Sequence, residues 1–143
     1  MKKGTCCFFG HRESYRLDRG RLLETIRARI LQGDDVFYVG NQGEFGSAVY
    51  RCLKQLREEY PHIRVCVVLA YLPTEKDEDI PDSMYPEIEG HPKFALDRRN
   101  RWMIDRADVC ICYIDHTWGG AYKFVMLAQK RGLTVINIGS AEI

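Results

Sequence analysis

The chain alternates between two hydrophobic patterns, and this alternation constrains the fold more than any other feature. Short continuous apolar runs at Thr5–Phe9, Val36–Val39, Ile63–Tyr71, Val109–Ile114 and Thr134–Ile138 are separated by longer stretches of helical period. A continuous apolar run too short for a buried helix fits a strand covered on both faces. Between the runs, Asp18 predicts a helix N-cap ahead of Leu22, Leu23, Ile26, Ile30 and Leu31, and Gly33 closes that helix. A second helix spans Glu44 to Tyr60, with Val49, Cys52, Leu53 and Leu56 on one face and Pro61 at its end. Two more are predicted over Phe94–Ala107 and Ala121–Arg131.

Strands that alternate with helices pair in parallel through right-handed crossovers. The predicted fold is α/β: a Rossmann-like, doubly wound three-layer sandwich around a five-stranded, mainly parallel sheet in the order 3-2-1-4-5. Strands 1 and 4 then flank the switch point where such sheets bind ligands. Residues 1–143 read as a single domain, with no repeat or linker, and are long enough to bury one core. The stretch from Pro73 to Pro92 holds four prolines and the acidic cluster Glu75-Lys76-Asp77-Glu78-Asp79. It has no period and reads as an exposed loop, serving as a lid or a partner surface.

Charge and cysteine use narrow the function classes. Lys plus Arg number 21 against 20 Asp plus Glu. That balance argues against a nucleic-acid partner bound through overall charge. No apolar run approaches the roughly 18 residues of a membrane helix, and Cys6-Cys7-Phe8-Phe9 is too short for a secretory signal. A cytoplasmic location is expected, with no membrane partner. Five of the six cysteines fall in strand-like runs, Cys52 falls in a helical pattern, and no CxxC pair occurs. They read as core thiols of a reducing compartment. Neither a metal site nor a cofactor is expected.

The carboxyl ends of the predicted strands carry the candidate site. Strand 1 ends in Gly10-His11-Arg12, strand 2 in Gly40-Asn41-Gln42-Gly43-Glu44-Phe45-Gly46, and strand 4 in Asp115-His116-Thr117-Trp118-Gly119-Gly120. Glycines let backbone N–H groups approach a phosphate, and a following helix N-terminus adds partial positive charge. Neither GxGxxG after strand 1 nor GxxxxGK[ST] is present, so P-loop phosphoryl transfer is not indicated. Arg12 is a candidate for bidentate phosphate contact. His11 is a candidate acid–base group or a residue that orients its loop. Phe45 and Trp118 are candidates for stacking on a base. Asp105 and Asp108 read as braces for the turn into strand 4.

Four of these stretches, in order, carry a resemblance: Gly10-His11-Arg12, the glycine loop after strand 2, the run from Arg99 to Asp108, and Trp118-Gly119-Gly120-Ala121. Together they resemble the SLOG superfamily, most closely its YpsA-like bacterial branch, over nearly the whole chain. The resemblance implies a Rossmann-like fold with a pocket for a nucleotide or nucleotide-derived small molecule. It adds Arg99, Asn100 and Ala121 to Gly10, His11, Arg12, Gly40, Gly43, Glu44, Phe45, Gly46, Trp118, Gly119 and Gly120 as ligand-binding candidates. Some relatives are phosphoribohydrolases that cleave the N-glycosidic bond of a nucleoside monophosphate, and the DprA-like members bind single-stranded DNA. The hydrolase branch carries PGGxGTxxE, whose Glu assists cleavage. Here Trp118 to Met126 keeps the double glycine and lacks the Pro, the Gly-Thr and the Glu. The expected function is therefore that of a nucleotide-binding sensor or regulator, with N-glycosidic hydrolysis and then single-stranded DNA binding as alternatives. Asp115 and Glu44 are the carboxylates near this edge, and no catalytic residue is assigned. Relatives form dimers, so the resemblance is compatible with a homo-oligomer.

Overall fold

The structure is a computed structural model that describes residues 4–41, 43–72 and 81–143. Among these residues, six strands form one sheet: β1 (Thr5–Gly10), β2 (Val36–Gly40), β3 (Arg64–Val68), β4 (Ser83–Met84), β5 (Val109–Tyr113) and β6 (Thr134–Asn137). Among the described residues, four α-helices connect them: α1 (Arg19–Leu31), α2 (Gly43–Glu59), α3 (Ala95–Arg106) and α4 (Gly120–Lys130). The order is β4-β3-β2-β1-β5-β6, and every pair is parallel. The five predicted strands therefore lie in the predicted order, and β4 is added at one edge.

That added strand corrects part of the predicted loop. The acidic cluster 75–79 lies outside the described residues. Beyond it, the Val67 N–H donates to the Asp82 carbonyl at 2.9 Å and the Leu69 N–H to the Met84 carbonyl at 2.8 Å. Two residues have no period to read, and the free edge of β3 is what makes them a strand. Pro92–Phe94 then forms a 3-10 turn into α3.

The period-2 geometry of the strands explains why their runs are continuous. Cys6, Phe8, Phe37, Val39, Val65, Val67, Val109 and Ile111 face a core with Leu22 and Ile26 of α1 and Val49, Leu53 and Leu56 of α2. The alternate residues Cys7, Phe9, Cys66, Val68, Cys110 and Cys112 face Met103 and Ile104 of α3 and Phe124, Val125 and Ala128 of α4. All six thiols are free and buried.

Local chemistry sets the element ends. The Asp18 carboxylate accepts the Arg21 N–H at 3.0 Å and caps α1 as expected. The Asp108 carboxylate accepts the Thr5 N–H at 2.8 Å and the Gly4 N–H at 3.3 Å, tying the start of β5 to the start of β1. Asp105 instead pairs with Arg131 across α3 and α4.

Candidate functional site

The chain leaves β1 toward β2 on one side and returns to β5 on the other, so the sheet's switch point lies between β1 and β5. A cleft of about 690 Å³ opens beyond their carboxyl ends, within the range of small-ligand pockets. All the candidate ligand-binding residues line it except Glu44. Glu44 braces a loop instead: its carboxylate accepts the Ser14 N–H at 3.0 Å, and its own N–H donates to the Arg12 carbonyl at 3.1 Å. These two bonds clip the segment after β1 onto the start of α2.

Three of the glycines have packing reasons for being glycine. A Cβ on Gly10 would stand 2.3 Å from Cγ of the buried Phe45 ring. A Cβ on Gly46 would stand 2.9 Å from the Gly40 carbonyl oxygen, and one on Gly40 would meet Arg99. Phe45 is consequently a core residue, stacked on Tyr113 at 6.4 Å, rather than an exposed platform. The loop before α4 differs. Gly119 adopts φ +95°, a conformation that suits glycine, and caps α4 without a side-chain bond. Among the described residues, nothing lies within 4 Å of the place a Gly120 Cβ would take. The Lys123 N–H bonds to the Gly119 carbonyl, so the first-turn N–H groups before it have no intrahelical acceptor. The positive end of the helix dipole thus faces the cleft.

The arginines of α3 divide by function. Arg99 is 5% exposed, and its guanidinium donates to the Val68 carbonyl and to Asn100 Oδ1, both at 2.8 Å. Burial lowers its pKa to about 10, so it stays charged at neutral pH. Arg98 donates to the His91 carbonyl at 2.8 Å, and Arg101 pairs with Asp97 at 2.7 Å. Arg12 is exposed at the cleft and forms no ion pair among the described residues. The Trp102 indole meets Tyr38 edge-on at 5.1 Å and lies under the Arg106 guanidinium at 4.0 Å, away from the cleft lining.

At the cleft mouth, three rings stack in series. His11, 8% exposed, lies 3.6 Å from His116, and His116 lies 3.8 Å from Trp118, which is 68% exposed. His11 Nε2 lies 3.3 Å and His116 Nε2 3.6 Å from Asp115 Oδ1. The His116 Nδ1–H donates to the Trp118 carbonyl at 3.1 Å, since a carbonyl can only accept. Burial, followed by the neighbouring His116, lowers the His11 pKa. Sequence reasoning assigned no role to His116, and to Asp115 only that of a nearby carboxylate. The one sequence signal for both is their position directly after an apolar strand at a switch point.

No protein-family model matches the chain, and no curated protein matches it by sequence. Among solved structures, it is similar to DNA processing protein A from Helicobacter pylori, whose single-stranded DNA binding mode that structure describes. The TM-score is 0.64 at 14% identity, over 93% of this chain and 64% of that one. The chain thus spans less than two thirds of the protein it resembles, and the likeness is one of fold. It nonetheless corrects the expectation drawn from overall charge. A protein of this fold binds single-stranded DNA, and a net charge of +1 averages over surfaces that a bound strand never touches.

Proposed function

We propose that this chain is a SLOG-type domain, extending over residues 1–143, that binds single-stranded DNA by taking a nucleotide unit into the cleft between β1 and β5. The observation that carries the reading is the ring stack ending in exposed Trp118, next to the uncapped start of α4 and within the same cleft as Arg12. A base stacks on an exposed indole without regard to its identity. Its phosphate is matched by a helix N-terminus and by the Arg12 guanidinium, which is in no ion pair among the described residues. The fold shared with a single-stranded DNA-binding protein supports the same assignment. The six buried free thiols support a reducing, cytoplasmic setting.

Fluorescence anisotropy with a labelled oligothymidine, set against a duplex of the same length, tests the reading. Binding of the single strand with strong salt dependence is expected. Stacking contributes about 1–3 kcal/mol per base, so Trp118→Ala is expected to weaken binding roughly 5- to 150-fold. A folded protein with no single-strand affinity, or a Trp118→Ala variant that binds unchanged, overturns it.

A second reading is favoured by the cleft's volume, which suits a free nucleotide or nucleotide-derived signal. Competition separates the two. A mononucleotide that displaces the oligonucleotide at micromolar concentration favours the small ligand, and displacement only by longer strands favours DNA.

A further inference from the structure

We propose that His11, Asp115 and His116 form a divalent transition-metal site of the zinc type, open to the cleft. One potential ligand atom from each lies within 4.8 Å of the other two. The separations of 3.3 Å and 3.6 Å from Asp115 Oδ1 to the two Nε2 atoms match the edge of a coordination tetrahedron. Ligands about 2.0–2.1 Å from such an ion stand roughly 3.3 Å apart.

His11 Nε2 and Asp115 Oδ1 are buried and have no hydrogen-bond partner among the described residues, although they face each other. Buried polar atoms ordinarily find partners. His116 Nδ1 gives its proton to the Trp118 carbonyl, so its Nε2 carries a lone pair on the Asp115 side. A backbone carbonyl on the far nitrogen is the usual device that fixes a metal-binding imidazole in its ligating tautomer. Asp115 has a similar support, since Tyr113 Oη donates to its Oδ2 at 3.4 Å and leaves Oδ1 for the histidines. The cluster thus brings the His116 Nε2 lone pair and the unpartnered His11 Nε2 to one carboxylate oxygen, and a cation bound there would give all three atoms a partner.

Two imidazoles and a carboxylate suit zinc and its first-row neighbours rather than magnesium or calcium. The imidazole planes differ by 18°. An ion shared by both Nε2 atoms therefore fans the rings apart, and His116 turns because it stands on the loop before α4. Three protein ligands leave a fourth position facing the cleft, where water or a phosphate oxygen completes the sphere. The proposal does not depend on DNA binding, because the ion is measured without any nucleic acid.

The test is isothermal titration of the metal-free chain with zinc chloride near pH 7.5, repeated with cobalt(II), whose visible absorption reports coordination geometry. One ion per chain at micromolar affinity or tighter is expected, with a cobalt spectrum of low coordination number. His116→Ala and Asp115→Asn alter a loop and a partly exposed carboxylate rather than the core, and each is expected to weaken binding at least about 10- to 100-fold, the loss that even outer-shell changes cause. Absence of stoichiometric binding overturns the proposal. So does binding unchanged in both variants, which places the ion elsewhere.

Discussion

The guanidinium of Arg99 fills the space above Gly40: a Cβ built on that glycine would stand 2.8 Å from Nη1. The same Nη1 donates to the Val68 carbonyl at the end of β3. One buried cation on α3 therefore clamps the ends of two neighbouring strands, and it reaches them because residue 40 has no side chain. This role holds whatever occupies the cleft.

Gly40→Ala is expected to displace Arg99 and break its bond to Val68. A hydrogen bond from a charged group contributes about 1.5–3 kcal/mol, so a loss of that size is expected in urea unfolding. Gly120→Ala is the control. Its Cβ enters open space at a helix start, so a change of about 0–1 kcal/mol in the stabilising direction is expected. Equal losses in the two variants would refute the clamp.

Gly120→Asp is expected to affect folding and binding in opposite directions. A carboxylate in the first turn of α4 complements the helix dipole and stabilises it by about 0.3–1 kcal/mol. The same charge stands where a phosphate would approach the free N–H groups, and it repels that phosphate. Melting temperature should hold or rise while oligonucleotide affinity falls at least about tenfold. A variant that melts higher and binds normally would remove the phosphate from this helix end.

Asp82 links stability to pH. It adopts φ +69° beside β4, and Arg57 holds its carboxylate through bonds of 2.9 and 3.0 Å. Those bonds, ahead of the Tyr50 hydroxyl at 3.1 Å, depress its pKa below the usual carboxylate value. A carboxylate with a depressed folded-state pKa binds fewer protons when folded. Its contribution is complete above about pH 4 and is lost as the pH falls through the depressed value. Arg57 is 34% exposed, so the contribution is discounted to about 1 kcal/mol. Arg57→Met should lower stability by that amount at pH 7, and the gap to the parent protein should close below pH 4. A gap independent of pH would mean that Arg57 acts through packing.

The sheet was legible because burial on both faces writes strands as unbroken apolar runs, and Asp18 and Gly33 punctuate α1 at the sequence level. β4 was not, since Ser83 and Met84 gain strand character only by pairing with Val67 and Val68. The glycines marked the right edge of the sheet, but Gly10, Gly40 and Gly46 are explained by Phe45, Arg99 and a carbonyl that no local pattern reveals. The His11–Asp115–His116 cluster was the least legible. His11 stands about a hundred positions from the adjacent Asp115 and His116, and they meet only because Gly10 pairs with Tyr113 at the ends of β1 and β5.

Arg12 gives the sharpest distinction between phosphate contact and general attraction. It is exposed at the cleft and outside every ion pair among the described residues, so its removal should leave the unfolding free energy within about 0.5 kcal/mol of the parent's. A guanidinium on a phosphate releases one counterion, so Arg12→Ala should weaken single-stranded DNA evenly across sequences and reduce the salt slope by about 0.7–1. Trp118→Ala should leave that slope unchanged, because an indole displaces no cations. Anisotropy titrations over a series of salt concentrations measure both slopes. If the two variants lose the same slope, or if neither does, Arg12 does not contact phosphate and the strand crosses the cleft along another path.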